Sequence, residues 1–417
     1  MNKEKLNMVM LDQKEYFCNK RDLIERDIDL MPFLTTSQVV VISGVRRCGK
    51  SSLLWLIKDK LKLQDSNFCY FNFDDERIIG NSEILSEIYQ IHLENYRTEP
   101  VFLFDEIQNV PNWEKFVNRM YEQGRKVFVT GSNAQLLSSE ISSSLTGRNK
   151  VLELFPFSFI EYLSYKKHSY RIKSLTTKQK SLLLSDLSEY LEIGGFPLVL
   201  KEKDTSLINA WFQDILYRDI VSRYRLSQVK ELRQMAIYLL SNSAKLFSYS
   251  TLKQISGIKS LSSIKDYLDY FERTYLLFYL YKFDYSIKKQ IMNSRKVYCV
   301  DNSIANNIGL RFSDNLGRLF ENMIFLELKR RGKEVYYFSV KNECDFLIKD
   351  GYDIAEAIQV VYELNYDNQK RELSGLEEAM NEFKIKQGTV ITYHECKILL
   401  DLPENIQIIP AWKWLMS

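Results

Sequence analysis

The chain has 417 residues, a net charge of +3, 45% hydrophobic and 27% charged residues, which is typical of a globular protein with two or three domains. No stretch approaches the roughly 18 uninterrupted apolar residues of a membrane span, and the opening MNKEKLNMVMLDQKE lacks the apolar core of a secretion signal, so we expect a cytoplasmic protein. Six scattered cysteines without a CxxC pair, and only three histidines, argue against a disulfide framework or a zinc site.

The first predicted strand, QVVVIS, leads into the loop GVRRCGKSS and then into a helical run. Gly44 and Gly49 allow this loop to curl so that its amides point at phosphate oxygens, next to the positive end of the helix dipole. Lys50 is placed to reach the outer phosphates and Ser51 to bind Mg²⁺, so the predicted cofactors are ATP and Mg²⁺. The predicted nucleotide-binding residues are Gly44, Val45, Arg46, Arg47, Cys48, Gly49, Lys50, Ser51 and Ser52.

A second buried strand, VFLF, runs directly into Asp105 and Glu106. A carboxylate at a strand end suits the water shell of Mg²⁺, so Asp105 is the predicted metal residue beside Ser51, and Glu106 is placed to polarise the attacking water. The 55 positions from Lys50 to Asp105 leave room for one further strand, NFCYFNFD, and one helix, EILSEIYQIHLENY. The pair of acids predicts an ATP hydrolase rather than a kinase-like protein.

Two later segments add candidate catalytic residues. The strand KVFVTGSN ends in Ser132 and Asn133, which we expect to sense the γ-phosphate, with a helix cap as the alternative role. Arg148, which precedes the predicted fifth strand VLEL, is placed to stabilise charge in the active site of a neighbouring subunit. A solvated surface arginine is the alternative for Arg148.

The motifs GVRRCGKSS, FNFDDER, FLFDEIQNVPNWEKFVNRMYEQG, VTGSN, SLTGR and PFSFIEYL resemble those of the prokaryotic AAA-type ATPases that carry a C-terminal region of unassigned function. GGFP, DILYRDIVSRY, YCVDNSIAN and the segment from ENMIFLELKRRG to AIQVVYEL extend the resemblance over most of the chain. The resemblance implies an AAA-type ATPase core, predicted here as residues 1–160 with a five-stranded parallel sheet. It also implies a homo-oligomer, expected to be a hexamer, because such ATPases complete their active sites between subunits.

Residues 161–228 have a helical pattern, interrupted by the GGFP turn, that fits the small helical lid of AAA-type ATPases. Arg218 and Arg223 are candidates for a second sensing arginine in this lid. Ion pairs with Asp214 or Asp219 at helical spacing explain the two arginines as well, and we favour that interpretation.

Residues 229–300 contain three helical runs and then two strands, FYLYKFDYS and RKVYCVD, in the order of a winged helix-turn-helix. Residues 201–300 carry 17 Lys and Arg against nine Asp and Glu, an excess that attracts DNA phosphates but also fits a solvated face or an acidic partner. We predict DNA binding here, although winged helices also bind proteins. The candidate DNA contacts are Lys259, Ser260, Ser263, Lys265 and Tyr267 near the third helix, and Lys288, Lys289, Arg295 and Lys296 in or beside the wing.

Residues 301–417 follow the layout of restriction-endonuclease-like folds, with an amphipathic helix before the strands EVYYFSV, ECDFLIKD and YDIAEAIQVVYEL. Glu321, Asp345 and Gln359 fall at three of the positions that gather Mg²⁺ in such enzymes, but Val361 stands where their lysine belongs. Nothing in the pattern indicates that Lys329 or Lys341 replaces that lysine. We therefore predict a degenerate, inactive domain kept for binding or assembly, and a terminal strand with a short tail in IQIIPAWKWLMS.

The predicted fold is thus an α/β P-loop ATPase followed by a helical lid, a winged helix and a small nuclease-like α/β domain. The predicted function is ATP hydrolysis by an oligomer that acts on DNA, as a motor on branched or single-stranded DNA. A nucleotide-state switch that binds a protein partner and an ATP-controlled, metal-dependent nuclease are the two alternatives.

Overall fold

A computed structural model describes residues 2–19, 23–78, 81–132, 145, 147–310, 316–395 and 403–417. The chain forms two compact units. The first comprises Met1–Pro156 together with the short segment Arg273–Tyr275, and the second comprises Phe157–Glu272 and Leu276–Ser417. None of the helices within the described ranges is long and apolar enough to cross a membrane.

The first unit is built on five strands that all run parallel, in the order β2-β3-β4-β1-β5. The strands are β1 (Val39–Gly44), β2 (Phe68–Asn72), β3 (Val101–Asp105), β4 (Val127–Gly131) and β5 (Asn149–Leu154). β1 to β4 are short runs of β-branched and aromatic residues buried on both faces, as expected of a parallel sheet covered by helices. This arrangement confirms the predicted P-loop ATPase fold. It also brings the carboxyl ends of β1, β3 and β4 to one edge of the sheet.

Among the described residues, the helices that accompany this sheet are α1 (Lys3–Cys18), α2 (Met31–Leu34), α3 (Lys50–Lys60), α4 (Ile84–Tyr96) and α5 (Trp113–Glu122). In α5, Trp113, Phe116, Val117 and Met120 recur at helical spacing and are all buried in the core. Helix α3 starts at Lys50 and carries Lys58 and Lys60 in its last turn, where positive charge offsets the helix dipole. The start of α3 therefore lies directly after the phosphate-binding loop.

The second unit begins with a helical region. Its helices are α6 (Phe159–Tyr165), α7 (Thr177–Ile193), α8 (Pro197–Glu202) and α9 (Ser206–Asp214), and α9 continues into a π-helix over Ile215–Ser222. The GGFP turn separates α7 from α8, and the amide of Gly195 donates to the buried carboxylate of Asp301 at 2.8 Å. A side chain at Gly194 would place its Cβ 1.8 Å from the same carboxylate, so this turn requires glycine.

Three helices and a small antiparallel sheet follow. The helices are α10 (Val229–Ser241), α11 (Tyr249–Ser256) and α12 (Leu261–Arg273), and the strands β6 (Leu246–Phe247), β7 (Leu277–Tyr281) and β8 (Arg295–Cys299) pair in the order β6-β8-β7. The residues between β7 and β8 include a short helix, α13 (Ile287–Met292), which the predicted pair of strands did not contain. The winged-helix assignment remains a prediction that this element order supports.

The last part of the second unit is a mixed sheet flanked by helices. Its elements are α14 (Asn302–Ile308), α15 (Leu316–Arg330), β9 (Glu334–Ser339), β10 (Glu343–Asp350), β11 (Asp353–Val361), α16 (Tyr366–Phe383), β12 (Gly388–Thr392), β13 (Ile406–Pro410) and α17 (Ala411–Leu415). β9, β10 and β11 are antiparallel, whereas β11, β12 and β13 are parallel, in the order β13-β12-β11-β10-β9. The expected terminal tail is the short helix α17, which buries Trp412 and Trp414.

Candidate active site

The loop between β1 and α3 has the backbone geometry of a phosphate-binding loop. Gly44 and Gly49 have φ angles of +154° and +103°, which side chains rarely adopt. A Cβ on Gly44 would lie 2.1 Å from the carbonyl oxygen of Leu154, so the loop packs too closely on β5 for any other residue. Val45 and Cys48 are buried beneath the loop, whereas Arg47 is exposed.

Lys50 is the first residue of α3 and is only 4% exposed. Its ammonium donates to the carbonyl oxygens of Gly44 and Val45, each at 3.1 Å, and lies 3.9 Å from the Glu106 carboxylate. The predicted phosphate-binding lysine and the predicted water-activating acid thus meet at one edge of the sheet. Ser51 and Ser52, also predicted to bind nucleotide or metal, occupy the next two positions of the same helix turn and are half-buried.

Asp105 ends β3 and is 1% exposed. The hydroxyl of Thr130, on the adjacent strand β4, donates to its Oδ1, and the hydroxyl of Tyr70 donates to its Oδ2 at 3.4 Å. Thr130 also accepts the backbone amide of Glu106 at 3.1 Å, so this one hydroxyl orients both acids. Sequence reasoning missed Thr130, although the motif VTGSN contains it.

Glu106 has a φ of +53°, an uncommon conformation for a residue with a side chain, which turns it away from the strand. Its carboxylate accepts hydrogen bonds from the amide of Gln108 and from Ser132. Burial alone would raise the pKa of Glu106, but Lys50, Gln108 and the nearby Arg46 together lower it below its ordinary value. Glu106 is therefore held as a carboxylate, the form that accepts a proton from water.

The donor set suits Mg²⁺, which prefers oxygen ligands in octahedral geometry and keeps several waters. Asp105 offers a carboxylate fixed by Thr130, and Ser51 offers a hydroxyl on the first turn of α3. The glycines of the loop leave no Cβ to obstruct a phosphate at the amides that open α3. The residues present thus fit both ATP and Mg²⁺.

The three remaining catalytic candidates of the first unit are Ser132, Asn133 and Arg148. Ser132 is 4% exposed and contacts Glu106, whereas Asn133 lies outside the described residues. Arg148 is 40% exposed and donates to Asn118 and, at 2.9 Å, to Glu122, both on α5 of its own chain. A role for Arg148 in a neighbouring subunit stays a prediction.

Two further residues of the first unit contact the loop and its strand, and sequence reasoning missed both as site residues. Arg26 donates to the carbonyl oxygens of Cys48 at 3.1 Å and Phe155 at 2.7 Å, which ties the loop to the end of β5. The hydroxyl of Tyr275 lies 2.7 Å from that of Ser43 in β1. Neither residue belongs to a recognisable motif, because both come from segments distant in sequence.

The candidate DNA contacts in the second unit are only partly accessible. Lys259, Lys265, Lys288 and Lys289 are exposed, whereas Ser263 is half-buried. Ser260 accepts the amide of Ser263 at 3.3 Å across the first turn of α12. Tyr267 and Lys296 are 5% and 2% exposed, so the expectation that they face DNA is wrong.

The nuclease-like positions do come together. Gln359 accepts the amide of Asp345 at 3.3 Å, and Lys296 bridges Asp345 and Glu321 at 2.8 and 2.9 Å. A lysine therefore does enter the acidic cluster, and it is neither of the two considered from the sequence. It comes from β8, a strand outside the segment in which such a lysine was sought.

Two family models match parts of this chain. A family described as an AAA domain matches residues 36–163, and one described as a domain of unknown function (DUF8612) matches residues 184–315. An uncharacterized protein of Methanocaldococcus jannaschii is 38% identical over 429 aligned positions, which cover 98% of this chain and 94% of that protein. An uncharacterized protein of Haemophilus influenzae is 29% identical, covering 93% and 96% of the two chains.

Two solved structures are similar at lower identity. A Walker-type ATPase of Pyrococcus abyssi aligns with 69% of this chain and 98% of its own, with a TM-score of 0.43 and 16% identity. The RuvB Holliday junction branch migration motor of Thermotoga maritima aligns with 66% of this chain and 87% of its own, with a TM-score of 0.28 and 14% identity.

Proposed function

The chain belongs to the same family as the Methanocaldococcus jannaschii protein and carries an AAA-type ATPase domain with ATP and Mg²⁺ as cofactors, and we propose how it hydrolyses ATP and what it acts on. Hydrolysis takes place at the edge of the first unit's sheet, where Lys50, Asp105 and Glu106 meet. The observation that carries this proposal is the 3.9 Å approach of Lys50 to Glu106, beside an Asp105 fixed by Thr130.

Each residue has a distinct role in the proposed reaction. Lys50 leaves the carbonyls of Gly44 and Val45 to bind the outer phosphates, since a charged acceptor is stronger than a neutral carbonyl. Ser51 and Asp105 would hold Mg²⁺, which would supply neutralisation of the phosphate charge. Glu106 accepts the proton of the water that attacks the terminal phosphorus, as the bond to the bridging oxygen breaks.

We further propose that the second unit binds DNA. Residues 201–300 carry an excess of eight positive charges, and four of the candidate lysines in this segment are exposed. Three helices followed by paired strands are the elements of a winged helix, in which the third helix enters the major groove. The proposed contacts are Lys259, two residues before α12, and Lys265, on the exposed side of that helix.

Oligomerisation belongs to the same proposal. Arg148 is held by Asn118 and Glu122 through hydrogen bonds on the surface of the first unit, where its side chain is 40% exposed. Exposed ion pairs of this kind contribute little stability, about 0–1 kcal/mol, so an exchange of partners costs little. We expect Arg148 to exchange them for a phosphate bound to a neighbouring subunit.

A protein-binding switch is the second candidate, and one observation favours it. Tyr285, Ile287 and Met292, in and beside α13, are 81%, 72% and 75% exposed. Large apolar side chains exposed together are more typical of a protein contact than of a phosphate contact. The same segment carries Lys288 and Lys289, so it is compatible with either partner.

Steady-state ATP hydrolysis with and without single-stranded, duplex and four-way-junction DNA, at low and moderate salt, separates the two candidates. A DNA-dependent ATPase should be stimulated severalfold by one DNA structure, and its binding should weaken steeply with salt. Replacing Lys259 and Lys265 by Glu should remove the stimulation. The same change at Lys370 and Lys386, which are exposed elsewhere in the second unit, should leave it intact. If no DNA stimulates hydrolysis and no DNA binds in a salt-sensitive manner, the result favours the protein-binding switch.

A further inference from the structure

The acidic cluster of the second unit is centred on a buried ammonium group. Nζ of Lys296 lies 2.7 Å from Glu343, 2.8 Å from Asp345 and 2.9 Å from Glu321. Lys296 is on β8, Glu321 on α15, and the other two acids on β10, so three separate elements converge on this point. Lys296 is 2% exposed, which places the charge in the interior.

The surrounding groups hold the acids in place from the outside. Tyr298 donates to Glu321 at 2.7 Å, and the amide of Val360 donates to Asp345 at 3.0 Å. A buried charge is costly unless it is paired and hydrogen-bonded, and each charge of this cluster has such partners. The cluster is therefore a preorganised arrangement of oxygens around a cation.

Carboxylate oxygens that converge from several elements on one point are the usual way in which proteins hold a divalent cation. In this chain the central position is taken by the ammonium of Lys296, whose charge of +1 is smaller than that of a divalent ion. Because Nζ of Lys296 occupies the point on which these oxygens converge, a divalent ion cannot take that point without a rearrangement of β8.

We propose that Lys296 is a built-in cation that replaces the divalent metal of nuclease-like sites, so that this cluster binds no metal and joins β8 to α15 and β10. The proposal is independent of ATP hydrolysis, because it concerns residues of the second unit alone.

The proposal predicts that removal of the ammonium creates a metal site. In Lys296→Met the side chain ends one atom short of Nζ, which leaves the three carboxylates facing an uncharged space of ionic size. Mn²⁺ is the probe, and its binding to the full chain without nucleotide is followed by electron paramagnetic resonance. Lys296→Met should bind one more Mn²⁺ per chain than the wild type does.

Three comparisons make this test decisive. Wild type and Asp345→Asn should bind Mn²⁺ identically, and the double variant Lys296→Met with Asp345→Asn should lose the additional ion. If Lys296→Met is poorly folded, Mn²⁺ should raise its melting temperature by several degrees and leave that of the wild type and the double variant unchanged. A wild-type Mn²⁺ site that depends on Asp345, or a Lys296→Met variant that neither binds nor is stabilised by Mn²⁺, would overturn the proposal.

Discussion

The ammonium of Lys50, which opens α3, and the carboxylate of Glu106, which directly follows β3, lie 3.9 Å apart in the first unit. The pair is nearly buried, with 4% and 17% of the two side chains exposed, so its electrostatic interaction is screened little by water. Because burial disfavours an isolated carboxylate, Lys50 has two roles: it is placed to bind phosphate, and it keeps the water-activating acid ionised.

Lys50→Met should therefore abolish ATP turnover, by a factor of a hundred or more, since the variant loses a phosphate contact and raises the pKa of Glu106. Binding of a fluorescent ATP analogue and release of phosphate measure the two effects. Lys58→Met, which removes the same charge from the last turn of the same helix, is the matched control and should retain turnover. Turnover by Lys50→Met within a few fold of the wild type would rule out the assigned phosphate-binding role.

Thr130→Val should lower turnover about tenfold, because the variant keeps the shape of Thr130 but removes the hydroxyl that orients Asp105 and Glu106. The buried amide of Glu106 also loses its acceptor, which should cost about 1–3 kcal/mol of stability. The variant should need more Mg²⁺ for half-maximal rate, an effect that a purely structural defect does not produce. Thr130→Ser restores the hydroxyl and should recover both properties; failure of that rescue would count against the orienting role.

Tyr275→Phe should destabilise the first unit by about 1–2 kcal/mol, because the hydroxyl that it removes is a partner of the fully buried Ser43. The same hydroxyl donates to Glu153 at 3.2 Å. Thermal or urea unfolding measures the change. Tyr352→Phe, at a side chain that is 97% exposed, should have no effect, and equal stability of the two variants would contradict the contact.

Stability should respond to pH through Glu321. Burial, and then Asp345, raise the pKa of Glu321 from 4.5 to about 7, against the opposing effects of Lys296 and Tyr298. A carboxyl whose pKa is higher in the folded state stabilises the fold fully below pH 4.5, and that contribution is lost as the pH rises to about 7. Besides Asp345, Glu343 is the other acid that pairs with Lys296 in this cluster.

Glu321→Gln cannot titrate, so its stability relative to the wild type should rise between pH 5 and pH 8. The relative stability should rise by at most about 3 kcal/mol, because one pKa unit corresponds to about 1.4 kcal/mol. Melting temperatures of both proteins at the two pH values measure it. Glu382→Gln, at an exposed acid on α16, should show no such trend. A difference in melting temperature between Glu321→Gln and the wild type that does not change with pH would contradict the assignment of the raised pKa to Glu321.

The first unit was predictable because its chemistry lies in short contiguous motifs. The spacing from Gly44 to Lys50 and the position of Asp105 after an apolar strand are properties of the sequence alone, and the parallel order of the strands then brings them together. Thr130 was not predictable as an orienting residue, because its role depends on the register between β3 and β4. The same reason applies to Arg26, which reaches the loop from a segment before the first strand.

The acidic cluster of the second unit could also be predicted only in part. The positions of Glu321, Asp345 and Gln359 followed from the order of helix and strands, but the search for a lysine was confined to neighbouring positions and helices. Lys296 precedes Asp345 by 49 residues and lies on a strand of a different sheet. Only the tertiary structure shows that β8, predicted as part of a DNA-binding wing, places Lys296 between Glu321 and Asp345.

The central claim, that this chain hydrolyses ATP with Glu106 as the water-activating acid, is tested most directly by phosphate release from ATP and Mg²⁺ in Glu106→Gln. The account predicts that this variant binds ATP as well as the wild type does but releases phosphate at least a hundredfold more slowly. Glu76→Gln, at an exposed acid shortly after β2, should match the wild type in both respects. Unchanged phosphate release by Glu106→Gln would contradict the assignment of Glu106.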